Sequence, residues 1–105
     1  MRALQLSTPH SPLHLVELPL PTPHPNSVLL RVRACGVCHT DLHIVEGELA
    51  PKKLPIIPGH QVVAIVEQVG SGVTVPSTSL RAGFQVGDRV GVPWLHTTCG
   101  GCEFC

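Results

Sequence analysis

Proline and glycine punctuate this chain so densely, at 11 and 10 of 105 residues, that few stretches stay uninterrupted long enough for a helix. Proline removes a backbone donor and fixes φ, and glycine weakens regular elements, so the pattern favours short strands and turns. Strands are expected over residues 1–6, 13–18, 28–34, 61–69 and 89–92. Within 28–34, Val28, Leu30, Val32 and Ala34 alternate with Leu29, Arg31 and Arg33. That period of two reads as a half-buried strand with the arginines in solvent and Leu29 as an apolar exception. Four prolines between residues 19 and 25 make a stiff, extended connection. Residues 39–47 are the one good helix candidate, with Thr40 or Asp41 as cap, an apolar side of Leu42, Ile44 and Val45, and Gly47 as terminator. Residues 51–58 read as a loop, 70–87 as a long surface connection, and the Val-Gly-Asp-Arg-Val around Asp88 as a turn entering the last strand. Together these elements suggest one domain, mainly antiparallel, built as a compact β-barrel with a single short helix.

The charge balance narrows the function. Lys plus Arg equal Asp plus Glu at seven each, and the only adjacent basic pair is Lys52-Lys53. No basic stripe suits nucleic acid and no polybasic patch suits a membrane. The opening Met-Arg-Ala-Leu-Gln-Leu has neither a long apolar run nor a signal-peptide pattern, so a cytoplasmic protein is expected. Five Cys and seven His then need explaining. An odd number of cysteines in a reducing compartment favours metal binding over a disulfide framework.

Two clusters concentrate that chemistry. The first is Cys35-Gly-Val-Cys38-His39-Thr40-Asp41-Leu42-His43, followed downstream by Pro58-Gly59-His60. Thiolate and imidazole are natural ligands of a borderline-soft ion such as zinc. Cys35 continues the apolar side set by Val32 and Ala34, so it is read as a small buried hydrophobe. Cys38 and His60 pair as candidate ligands, whereas a lone His60 would be a hydrogen-bonded structural residue. A catalytic zinc site takes three protein ligands, and no third is evident. The second cluster, Cys99-Gly-Gly-Cys102-Glu-Phe-Cys105, places three thiols in seven residues. That is a metal-loop pattern, and its spacing alone also admits an iron–sulfur cluster. Gly70-Ser71-Gly72 lacks the third glycine and the following helix of a dinucleotide-binding turn. His10, His14 and His24 carry no such pattern, and His96 is expected to face solvent.

The order and spacing of residues 36–43, Pro58-Gly59-His60 and Gly87-Asp88-Arg89-Val90 resemble the zinc-dependent medium-chain alcohol dehydrogenases over essentially the whole chain. The resemblance implies a GroES-like N-terminal domain over residues 1–105, a partly open β-barrel with a Cys-rich loop at its C-terminal end. In the family a Rossmann domain binding NAD or NADP follows, so the chain is expected to be a truncated front half. By the same resemblance, Cys38 and His60 would hold a catalytic zinc, and the family's third ligand is a cysteine well beyond Cys105. Thr40 would hydrogen-bond the alcohol and pass on its proton, with His43 further out on that relay. His39 would face the cofactor pyrophosphate, and Asp41 would orient the His60 ring. Trp94 and Leu49 would line the substrate pocket. Cys99, Cys102 and Cys105 would belong to a structural zinc lobe. The family usually has Gly-His-Glu where this chain has Gly59-His60-Gln61. That Glu is not a standing ligand, so zinc binding is expected to survive. Ala64 likewise stands where glycine is common.

The function so implied is interconversion of small alcohols with aldehydes or ketones, in a family that is commonly homo-oligomeric. Two other classes compete: a zinc-binding module or fragment without activity, and a barrel used only for assembly. The assembly reading leaves Cys38, His60, Thr40 and His43 unexplained. The other two differ in completeness alone, and the 105 residues by themselves are expected not to reduce NAD.

Overall fold

Five strands and one helix appear in a computed structural model that describes residues 1–73, 83–95 and 102–103. The order is β1 (Arg2–Gln5), β2 (His14–Glu17), β3 (Val28–Gly36), α1 (His39–Val45), β4 (Gln61–Val69) and β5 (Arg89–Val92). All pairings are antiparallel. β1 and β2 form a two-stranded sheet, and β3, β4 and β5 a three-stranded one. Among the described residues both sheets are open rather than closed into a barrel. Part of the 70–87 connection, and the 97–105 loop apart from residues 102–103, lie outside the described residues.

The strands fall where alternation and β-branched content place them, and β4 and β5 have the expected bounds. β3 departs from the expected facing. Its register against β4 shifts between Leu29 and Leu30 and again between Val32 and Ala34. Leu29, the exception to the alternation, is the buried residue, while Val32 is 57% exposed and residues 31–36 are exposed whichever face they occupy, so the second half of the strand is uncovered on both sides. The reading of Cys35 as a buried hydrophobe is corrected accordingly.

Among the described residues the buried hydrophobic core is small: Leu6, Leu29, Ala64 and Val66. Leu6 also ties the first sheet to the chain ahead of the second site segment, through paired backbone hydrogen bonds with Ile56 of 2.8 and 2.9 Å. The Ala64 side chain is fully buried, which leaves little room for anything larger. The turn before β5 closes as the sequence suggests. The Gln85 N–H donates to the Asp88 carboxylate at 2.8 Å, and the Asp88 N–H to the Gln85 carbonyl at 3.1 Å.

Helix α1 starts at His39 as expected, but its cap lies two residues before the nearer of the two caps expected for it. Its N-cap is Cys38. Asp41, at the third helical position, reaches back to accept the Cys38 N–H at 2.9 Å, in the manner of the acidic half of a capping box. Neither Thr40 nor Asp41 is itself the cap. At the other end Gly47 has φ +72°, a left-handed turn that glycine enters without steric cost. His10, which sequence alone left without a role, donates its backbone N–H to the Val45 carbonyl at 2.6 Å and so satisfies one of the helix's last acceptors.

Candidate functional site

The site forms where the end of β3 turns into α1 and meets the segment entering β4. Asp41 organises it. One carboxylate oxygen accepts the Cys38 N–H, and the other accepts the Gly59 N–H at 3.0 Å. The residue is buried, at 8% exposure, and these charge-assisted bonds offset its desolvation. The second oxygen also lies 3.4 Å from Nδ1 of His60. One carboxylate thus fixes both the turn that carries Cys38 and the turn that carries His60. Gly59 is required there twice over. Its φ is +116°, and a Cβ would stand 2.8 Å from the Cys35 sulfur.

Cys38 is chemically distinct. The Thr40 backbone N–H and hydroxyl and the His60 ring hydrogen-bond its sulfur and stabilise the thiolate, which holds its pKa below the ordinary thiol value against a smaller opposing effect of burial. The Thr40 oxygen lies 3.7 Å from that sulfur. With Nδ1 of His60 facing Asp41, Nε2 is the ring nitrogen that a metal ion would engage. Thiolate plus neutral imidazole is a donor set that fits zinc. Among the described residues no third Cys, His, Asp or Glu joins them in a metal-binding group.

An open cavity of about 650 Å³ is lined by Cys38, Thr40, His60, Gln61 and Trp94, with Val62, Val63 and Val92 supplying an apolar floor. A neighbouring one of about 400 Å³ includes Thr40, His60, Leu49 and Trp94. Trp94 stands 5.4 Å from the His60 ring, centroid to centroid. Gln61 leans over Gly36, where a Cβ would meet its side-chain oxygen at 2.9 Å. Cys38, Thr40, Asp41, His60, Trp94 and Leu49 are therefore brought together. His39 and His43 sit apart from both cavities, with ring centroids 4.7 Å apart. Of the second cysteine cluster, Cys102 is exposed, while Cys99 and Cys105 lie outside the described residues, as does His96. Sequence reading missed Glu48, whose carboxylate contacts Nδ1 of His43. The pair is five positions apart in sequence, and the reversal at Gly47 joins them.

The chain matches the model of the alcohol dehydrogenase GroES-like domain over residues 24–105. It is 45% identical to an alcohol dehydrogenase of Geobacillus stearothermophilus, with all of this chain aligned to 29% of that protein. Its fold is similar to a solved cobalt- and zinc-bound thermostable alcohol dehydrogenase of Pyrobaculum aerophilum, at 39% identity and a TM-score of 0.83, covering 100% of this chain and 30% of that one. A solved zinc-binding dehydrogenase of Sinorhizobium meliloti bound to NADP is 31% identical, with a TM-score of 0.74, over 99% of this chain and 27% of that one. The chain thus spans less than a third of the length of these relatives. No helix among the described residues is long and apolar enough to cross a membrane. With 82 of its residues inside that domain model, the chain belongs to the alcohol dehydrogenase GroES-like domain family.

Proposed function

We propose that this chain is the metal-holding and alcohol-binding part of a zinc-dependent, nicotinamide-linked alcohol dehydrogenase. The observation that carries the reading is the convergence of Cys38, Thr40, His60 and Trp94 on one cavity. In this reading Cys38 and His60 hold zinc, and Asp41 keeps the His60 ring turned toward the ion. When bound, zinc supplies Lewis acidity toward an alcohol oxygen, and NAD or NADP supplies the hydride acceptor. The Thr40 hydroxyl accepts a hydrogen bond from the alcohol and hands its proton outward, and His43 takes it up nearer the surface. Trp94 and Leu49 bound the space for the alcohol's carbon chain, which suits small substrates. His39 faces the cofactor pyrophosphate, and Cys99, Cys102 and Cys105 belong to a structural zinc lobe. The reading extends to a cytoplasmic, homo-oligomeric protein acting on alcohols and aldehydes or ketones, without nucleic-acid or membrane partners.

A chimera tests the activity. These 105 residues replace the aligned segment of the Geobacillus enzyme, and alcohol-dependent formation of NADH is followed. Turnover is expected, and Thr40→Ala should lower kcat by about 100-fold, the scale of one positioned proton-transfer group. A folded, zinc-loaded chimera without turnover, or one indifferent to Thr40→Ala, overturns the reading.

A further inference from the structure

We propose that Glu48 is a positioning residue for the outward proton path, holding His43 as its Nδ1–H tautomer so that Nε2 is the proton acceptor. The inference rests on the reading of His43 as a relay group given above, but its geometry stands on separate residues.

Glu48 lies beyond the helix that carries His43, and an ordinary helix continuation would carry its side chain away from that ring. The chain reverses instead. Gly47 adopts φ +72°, its N–H reaches the Ile44 carbonyl at 3.3 Å, and the Leu49 N–H closes onto the His43 carbonyl at 3.0 Å. These bonds fix the backbone on both sides of Glu48 before its carboxylate meets the imidazole, so little ordering is left to oppose the contact. The carboxylate then contacts Nδ1 of His43. A carboxylate accepts only, so a neutral ring must place its proton on Nδ1 to satisfy it. Nε2 is left with a lone pair. The His39 ring, 4.7 Å away by centroids, packs beside the imidazole and limits its rotation. A proton arriving at Nε2 leaves an imidazolium whose Nδ1–H is already held by the negative charge of Glu48. This is the division of labour by which an acidic partner orients a catalytic histidine without itself being protonated.

Long-range proton–nitrogen NMR of the whole chain, labelled with ¹⁵N-histidine, reads the tautomer directly. It is recorded without metal or cofactor at about pH 8.5, where an ordinary imidazole is neutral. His43 is expected to be mainly Nδ1–H, although an unconstrained histidine favours Nε2–H. Glu48→Ala should shift the His43 ratio toward Nε2–H by about threefold, the worth of one exposed ionic contact, while the other histidines stay unchanged. An Nε2–H majority in the unaltered chain, or a ratio that Glu48→Ala does not move, overturns the proposal. The first of these outcomes needs no variant to fold. Should the tautomer behave as expected while the chimera gives no turnover, the dehydrogenase reading falls and the Glu48 contact stands.

Discussion

At the scale of single residues, Asp41 carries the most. Its carboxylate accepts the N–H groups of Cys38 and Gly59 from two segments of the chain. Asp41→Ala leaves two amides without their acceptor in a mostly buried place and should cost about 3 kcal/mol in urea unfolding, since bonds to a charged group are worth about 1.5–3 kcal/mol each and are not fully additive. A loss below about 1 kcal/mol would show that water replaces the carboxylate. Cys38 makes a second prediction. Hydrogen bonds from Thr40 and His60 depress its pKa, so the thiolate persists to lower pH than an ordinary thiol's. Removing one donor must raise the pKa toward the ordinary value. The rate of Cys38 alkylation, followed against pH, should therefore show a midpoint that moves upward in Thr40→Val. An unmoved midpoint would remove the Thr40 hydroxyl from the account. The grouping of this site was legible in part: Cys38 and His60 declare themselves as ligand types, while Thr40 and Asp41 were singled out through the family resemblance. Glu48 and the His10 backbone contact were not, because each depends on a chain reversal that leaves no pattern in side-chain type.

At the scale of elements, periodicity found the strands and misjudged one face. β4 and β5 have the bounds expected, and α1 lies inside its expected span with Gly47 ending it. In β3 residues 31–36 are exposed on both faces, and alternation tells which residues share a face but not whether anything covers that face. The consequence is measurable. Leu6 is fully buried and joins the first sheet to Ile56, whereas Val32 is 57% exposed. Leu6→Ala should cost about 3 kcal/mol, as buried leucine truncations do. Val32→Ala should stay within about 0.5 kcal/mol, as exposed substitutions do. Denaturation midpoints at equal m would compare them, and an equal loss at both positions would put Val32 back in the core.

At the scale of the whole molecule, the sheets and helix serve chiefly to bring two distant turns together. Cys38 opens α1, His60 precedes β4, and the pairing of Gly36 with Gln61 places those turns side by side at one end of the β3–β4 ladder. The partly open arrangement was expected from the resemblance and not from the strands themselves, since alternation tells which residues share a face of a strand and not whether the outer strands meet. The central claim is that Cys38 and His60 together make a metal centre. Cobalt(II) binding tests it most directly, because a thiolate ligand produces charge-transfer absorption. The protein is titrated with Cys99, Cys102 and Cys105 replaced by serine, so that only the first cluster can respond. The account predicts a thiolate-to-cobalt band that Cys38→Ser abolishes and that His60→Ala weakens by about tenfold or more in affinity, the low end expected for loss of a ligand's support. Absence of the band, or a band that survives Cys38→Ser, would contradict it.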